Sequence, residues 1–481
     1  MSNLPHFSHL LAGDVIPAGT LDVTTPFDQS PIASIDTVDS EGVEQALHTA
    51  YATFRDKAGW LAPHRRVAIL RRARELMIER AGELALEAAR EGGKPLLDSE
   101  VEVTRAIDGM ALCIEALRSA HGDEIPMGLT EASTGRLAFT RNEPIGVVVA
   151  ISAFNHPLNL IVHQVGPAIA AGCPVIVKPA ADTPLSCMRF VQILREAGLP
   201  DEWAQALLTV DNDTAAKLAT DARVAFLSFI GSARVGWWLR SQLAPGTRCA
   251  LEHGGVAPVI VEADADLHDA LPLLAKGGFY HAGQVCVSVQ RVFAQRSIAQ
   301  QVAERLAELG KSMTVGDAVL PDTDIGPLIR PAEVQRVQQW VGEAVDSGAQ
   351  LLCGGEPLGD TCYPATVLFD PPADARVSRE EIFGPVICVF PFDEVDEAIE
   401  QANALPFAFQ AAVFSKHIDK ALHAYRQLDA SAVMINDMTA FRVDWMPFAG
   451  LRHSGLGVGG IEHSFNDMQI RKMAVIRSPA L

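Results

Sequence analysis

Apolar and polar positions along the chain fall into two alternating patterns, and their order predicts the fold class. "IGVVVAIS" (145–152) is a continuous apolar run, as in a strand covered on both faces. "LNLIVHQVGPAIAAG" (158–172) follows with a helical pattern closing on Gly172. "CPVIVKP" (173–179) reads as a second strand. "TPLSCMRFVQILREAG" (183–198) reads as a helix with Thr183 as N-cap and Pro184 in its first turn. "VAFLSFIGS" (224–232) is a third strand leading into the helix "ARVGWWLRSQLA". Strands separated by single helices predict βαβ units and a parallel, doubly wound sheet.

A second series repeats the pattern. "APVIVEADAD" (257–266), "QRVFAQ" (290–295), "PVICVFPF" (385–392), "QAAVFS" (410–415) and "SAVMIN" (431–436) read as strands, with "IAQQVAERLAELGKSM" (298–313) as a helix. Residues 40–118 read as largely helical, with Arg/Glu-rich solvent faces. The last run, "RKMAVIRS" (471–478), reads as a strand placed to complete a sheet in a partner subunit. The expected fold class is α/β, with two doubly wound α/β lobes and a small β element.

Composition narrows the function classes. A chain of 481 residues is too long for one core, which agrees with two lobes. Its 39 Lys and Arg against 59 Asp and Glu give a net charge of −20, which argues against a generic nucleic-acid or anionic-membrane binder. "MSNLPHFSHLLAGD" lacks the charged and apolar regions of a signal peptide, and Asn159, His163, Gln164 and Pro167 interrupt the most apolar stretch. The 8 cysteines form no CxxC pair and no zinc spacing. A reduced, cytoplasmic protein without disulfides or metal is expected.

Several short stretches carry candidate chemistry. "GLGVGG" (455–460) satisfies the G-x-G-x-x-G pattern, but no buried strand precedes it and no well-formed helix is expected after it. It therefore reads as a flexible loop rather than a phosphate cradle. In "FIGSARVG" (229–236), Gly231 and Ser232 stand between a strand and a helix, where backbone amides and the helix dipole suit a phosphate. "VIVKPAADTP" (175–184) puts Lys178 at the carboxyl end of a strand, where open α/β sheets bind ligands. "SAFNHPLNL" (152–160) places Asn155 between a strand and a helix, as an oxyanion donor or a cap. "LEHGGVAP" (251–258) sets Glu252 before two glycines, and "EEIFGPV" (380–386) sets two carboxylates before Gly384. "GQVCVS" (283–288) holds Cys286, as a core thiol or a nucleophile.

Together, "AFNHP", "VKPAADTP", "FIGSARVG", "LEHGGVAP", "GQVCVS", "EEIFGPV" and "PFAGLRHSGLG" resemble, in order and spacing, the motif series of the aldehyde dehydrogenase superfamily across nearly the whole chain. The resemblance implies NAD(P)-dependent oxidation of an aldehyde to a carboxylate, with NAD or NADP as cofactor. It makes Cys286 the nucleophile that forms a thiohemiacetal and then a thioester. It makes Asn155 and the Cys286 N–H the oxyanion donors, and Glu252 the general base for thioester hydrolysis. Lys178 and Glu381 match the residues that hold the two riboses, Gly231 and Ser232 the pyrophosphate turn, and Phe383 the aromatic beside the nicotinamide ribose. It also divides the chain into a cofactor-binding lobe (1–124 and 144–253), a catalytic lobe (254–452) and an oligomerisation element (125–143 and 453–481) of a homodimer or homotetramer.

Departures from the family pattern refine these expectations. Ala181 stands where NAD-preferring members usually carry a glutamate for the adenosine 2′-hydroxyl, so NADP use becomes possible. His253, Ala449 and Ile230 replace the usual Leu, Gly and Thr outside the catalytic roles. On the substrate side, His156 replaces a common aromatic, Arg105 lies on a helix that borders the substrate tunnel in the family, and Arg442 precedes the entrance loop in "TAFRVDWMPFAG". Two cations suit a small oxygenated or anionic aldehyde, although either arginine could instead sit in a structural ion pair. Val285, beside the nucleophile, adds no charge. A CoA-acylating semialdehyde dehydrogenase is the first alternative, disfavoured by the presence of Glu252. A catalytically inactive binding homologue is the second, disfavoured by the complete residue set.

Overall fold

The structure, a computed structural model, describes residues 4–481. A six-stranded sheet runs in the order Gly455–Leu456, Arg248–Glu252, Val224–Ile230, Val147–Ile151, Val175–Lys178, Ala204–Ala206. All its pairs are parallel except the first. Alternate side chains explain the continuous apolar runs. Val148 and Ala150 pack into the core beneath the helices Asn159–Ala171 and Leu185–Glu196, while Val147 and Val149 face Val43, Ala46 and Leu47 of the helix Ser40–Arg55. Each such fully buried valine stabilises the fold by roughly 1.5–3 kcal/mol. Gly172 ends the helix Asn159–Ala171 in the left-handed region at φ 89°.

The second lobe holds a seven-stranded sheet ordered Gln350–Cys353, Thr366–Phe369, Val386–Phe392, Arg291–Gln295, Pro258–Val261, Gln410–Phe414, Ala432–Ile435. Only its first pair is antiparallel. The fold is thus two doubly wound α/β lobes with an additional three-stranded sheet among its smaller sheets, and residues 40–118 are largely helical as expected, in four α-helices.

Two local expectations fail for physical reasons. Thr183 is not an N-cap. The helix Leu185–Glu196 begins after Pro184, and its Leu185 and Ser186 amides donate to the buried carboxylate of Glu91 at 2.7 and 2.8 Å. "GLGVGG" is not a flexible loop: Gly455–Leu456 pairs with Arg248–Glu252, and a seven-residue helix, Ile461–Asp467, follows. Ile461 and Phe465 of that helix are buried in the first lobe, so this part of 453–481 packs there. The terminal strand Gln469–Arg477 forms as expected and pairs within its own chain along the full length of Arg136–Pro144, standing at the edge of its three-stranded sheet. Among the described residues, no helix is long and apolar enough to cross a membrane.

Candidate active site

Strand register brings the candidate residues to one edge of the first sheet. Ile151 pairs with Lys178, Phe229 with Ile151, and Ile230 with Glu252, so the carboxyl ends of four strands open together. A cleft of about 590 Å³ lies there, lined by Asn155, Lys178, Gly231, Glu252, Cys286 and Glu381, among others. Ala181, Ser232, Phe383, His156, Arg105 and Arg442 line it as well, so all the candidates meet in one cavity.

The nucleophile candidate comes from the second lobe. His281, Ala282 and Gly283 all hold positive φ (47°, 53° and 70°), a tight reversal after the helix Leu267–Phe279. A Cβ on Gly283 would lie 2.0 Å from the Gly384 carbonyl oxygen, so only glycine allows that approach. Gln284 then anchors the turn: its Oε1 accepts from the Ile329 amide at 2.9 Å, and its carbonyl accepts from Asn155 Nδ2 at 2.9 Å. Asn155 Nδ2 has a second hydrogen to offer the cavity. Cys286 is half-buried, whereas six of the other cysteines are buried, and all 8 are free. Burial, then Glu252 and Glu381, push its thiol up, and Arg442 opposes them.

Glu252 supplies a carboxylate at the strand end, its pKa raised by burial and opposed by Arg442. Glu381 is half-buried, its Oε1 is closed to solvent without a partner among the described residues, and burial pushes its pKa up to about 8. Its carboxyl group occupies the space a Cβ on Gly254 would take. Lys178 Nζ donates only to its neighbour's carbonyl, Pro179 O, at 3.3 Å. An orphaned carboxyl and an underused ammonium, facing one cleft, suit the hydroxyls of two riboses. The phosphate turn is more limited than its sequence suggests. The Gly231 amide donates to the Glu252 carbonyl at 3.0 Å, which leaves Ser232 and the first amides of the helix Ala233–Gln242 for a phosphate. Phe383, at φ 48°, sets its ring edge-on to Phe154. Asp182 is taken up by a bidentate pair with Arg330, which leaves Ala181 exposed on the cleft wall.

The two substrate-side arginines differ. Arg105 donates to both oxygens of buried Asp444, Nε at 3.0 Å and Nη2 at 2.7 Å. Asp444 also accepts from His163 Nε2 at 2.8 Å and from Asn159 Nδ2 at 3.3 Å, and these donors hold its carboxyl far below the usual range despite its burial. Arg442 has no carboxylate partner among the described residues. Its guanidinium lies 3.5 Å from the Phe448 ring centroid, a cation–π contact, and its Nε is buried and unpaired. His156 accepts at Nδ1 from Lys94. The sequence pattern assigns no functional role to Lys94, Glu102, His163 or Asp444. Asp444 sits in "TAFRVDWMPFAG", but its partners lie hundreds of residues away.

The chain matches the aldehyde dehydrogenase family over residues 16–474. It is 35% identical over 459 residues to the 3-sulfolactaldehyde dehydrogenase of Priestia aryabhattai, covering 95% of each chain. Aldehyde dehydrogenase 21 from Physcomitrella patens, solved with its reaction product succinate, superposes with a TM-score of 0.94 at 32% identity over 99% of both chains. The glyceraldehyde-3-phosphate dehydrogenase of Methanocaldococcus jannaschii, complexed with NADP, superposes with a TM-score of 0.90 at 33% identity over 95% of this chain and 99% of that one.

Proposed function

Because the chain belongs to the aldehyde dehydrogenase family and oxidises an aldehyde to an acid with NAD(P), we propose that Cys286 is its nucleophile, Asn155 its oxyanion donor and Glu252 its hydrolytic base. The meeting of these three with Lys178 and Glu381 in one cleft carries the reading. Lys178 and Glu381 would hold the two riboses, Ser232 and the helix behind it the pyrophosphate, and Phe383 the nicotinamide end. The bound cofactor supplies a hydride acceptor.

The chemistry follows from the positions. Cys286 Sγ adds to the aldehyde carbon as its proton passes to a base in the cleft, and the carbonyl oxygen becomes an oxyanion held by Asn155 Nδ2 and the Cys286 amide. The oxyanion collapses as hydride departs, leaving a thioester on Cys286. Glu252 takes a proton from water, the hydroxide attacks the thioester carbon, and the carbon–sulfur bond breaks to give the carboxylic acid and the thiol. A carboxylate placed for that step favours water over CoA as the acyl acceptor.

The substrate side fits a small oxygenated or singly anionic aldehyde. Arg442 is the cation free to meet it, since Arg105 is engaged by Asp444. The relative named for 3-sulfolactaldehyde, an oxygenated anionic aldehyde, supports this class. We also infer a cytoplasmic homodimer or homotetramer. The outer edge of Gln469–Arg477, with exposed Met473, Val475 and Ile476, supports self-association. Cys286→Ser tests the core of the reading: NAD(P)H formation should vanish while cofactor binding persists. Normal turnover by that variant removes the nucleophile assignment.

A further inference from the structure

The loop that carries Asn155 rests on a buried ion pair that the reaction itself does not use. Lys94 and Glu102 are both closed to solvent and hydrogen-bond each other. Glu102 Oε1 accepts the amides of Leu158 at 2.9 Å and Asn159 at 3.0 Å, pinning the start of the helix that follows Asn155. Lys94 Nζ also reaches Nδ1 of His156, at 2.7 Å. An ammonium only donates, so Nδ1 is the acceptor and the single proton of a neutral imidazole sits on Nε2. That Nε2 has no partner among the described residues, and the ring lines the same cleft as Cys286. The ring stacks on Tyr280, with centroids 6.1 Å apart and planes 26° from parallel, which fixes its direction.

We propose that Lys94 and Glu102 are positioning residues that lock His156 as the neutral Nε2–H tautomer, so that it donates a hydrogen bond to an oxygen on the carbon beside the aldehyde group. The substrate class this selects is a 2-hydroxyaldehyde, and the assignment rests on reading Cys286 and Asn155 as the acylation site. His156 lines the same cleft as Asn155 and Cys286, so a donor there can reach a substituent of the aldehyde that Asn155 holds. The charged and titratable groups facing the ring are Lys94, Glu102 and Arg105 on one side, and Tyr280 and His281 on the other. Burial and then the Lys94 charge push the imidazole down to about 4, against the pull of Glu102. Burial therefore favours the neutral ring.

Solid-state NMR of protein labelled with 15N-histidine, with His156 assigned by difference against His156→Asn, reads the tautomer without any turnover. The expected result is a neutral ring protonated at Nε2 from about pH 5.5 to about pH 8. An Nδ1–H ring, or an imidazolium at neutral pH, overturns the proposal. In Lys94→Met, Glu102 alone faces Nδ1, so the proton should move to Nδ1 and the ring should titrate at higher pH. There kcat/KM for glycolaldehyde should fall about tenfold as pH rises through that titration, the loss expected for one missing hydrogen bond, while propionaldehyde should show no such limb. Lys94→Arg restores a donor and should restore the tautomer. A merely structural ion pair would lower stability in Lys94→Met without moving the tautomer, and that outcome also overturns the proposal. Should Lys94→Met fail to fold, the unmodified protein's spectrum decides alone. A spectrum that fails while Cys286→Ser still abolishes turnover rejects this inference but leaves the nucleophile in place.

Discussion

Ala181→Glu places a carboxylate on the cleft wall where the cofactor's adenosine ribose would lie, and its effect can be sized from the surroundings. The adjacent carboxylate, Asp182, is already bound by Arg330. A glutamate about 5 Å from the 2′-phosphate of NADP would repel it by about 3 kcal/mol per charge at an effective dielectric of ~20, and by about 1 kcal/mol where water screens the pair. Ala181 is exposed, so the lower half of that range applies. Against NAD the same carboxylate gains a charged hydrogen bond to the 2′-hydroxyl, worth about 1.5 kcal/mol or more. The two effects add to roughly 2–4 kcal/mol, or about 30-fold to nearly 1000-fold in relative kcat/KM, in favour of NAD. Initial rates with each cofactor at saturating aldehyde measure the ratio. Repeating them at high salt should shrink the repulsive share, since the Debye length falls from about 10 Å at 0.1 M to about 3 Å at 1 M. A ratio unchanged at both salt levels refutes the placement of Ala181 at the 2′-position.

Two further outcomes follow from the site. Asp444→Asn takes the charge from Arg105 and an acceptor from His163; breaking a buried pair costs about 3–5 kcal/mol, reduced here to about 2–3 because part-exposed Arg105 can rehydrate. Urea unfolding checks it, and wild-type stability would show the cluster to be energetically idle. Glu252 has its pKa raised by burial, so the base form disappears as pH falls through a value above the usual carboxylate one of 4.5. Thioester hydrolysis should share that acid limb, and Glu252→Gln should give one burst of NAD(P)H and then stall; steady turnover by the variant would rule out the base role. The sign for stability is opposite. A raised native pKa stabilises the protein at low pH, and that contribution is lost as pH rises through the raised value.

Local pattern carried most of the fold. The strands Val147–Ile151 and Val175–Lys178 stand out because they are covered on both faces, and Gly172 marks a helix end by a conformation that glycine adopts freely. Lys178 and Glu252 stand at the ends of their strands, as the local pattern indicated, and Cys286 lies in the turn after Gly283; the structure brings all three to one cleft, while their proposed roles come from the motif series as a whole. What stayed hidden is nonlocal. Glu91 caps a helix more than ninety residues later, at Leu185 and Ser186, so Thr183 took the cap in a reading limited to neighbours. Asp444, in a turn, gathers Arg105, Asn159 and His163 from two helices, and no spacing along the chain announces that meeting. The terminal strand was recognised, but its partner, Arg136–Pro144, lies more than three hundred residues upstream.

Two glycines extend the active site into positions that carry no functional group. The carboxyl of Glu381 fills the volume of a side chain at Gly254, and Glu252 Oε2 lies 3.0 Å from where a Cβ on Gly459 would stand. The resting place of each acid is thus inscribed as a missing carbon on a neighbouring segment, one of them in the very "GLGVGG" run that imitates a nucleotide fingerprint. For anyone transplanting this chemistry to another scaffold, copying the carboxylates alone would import the charges without the room they occupy.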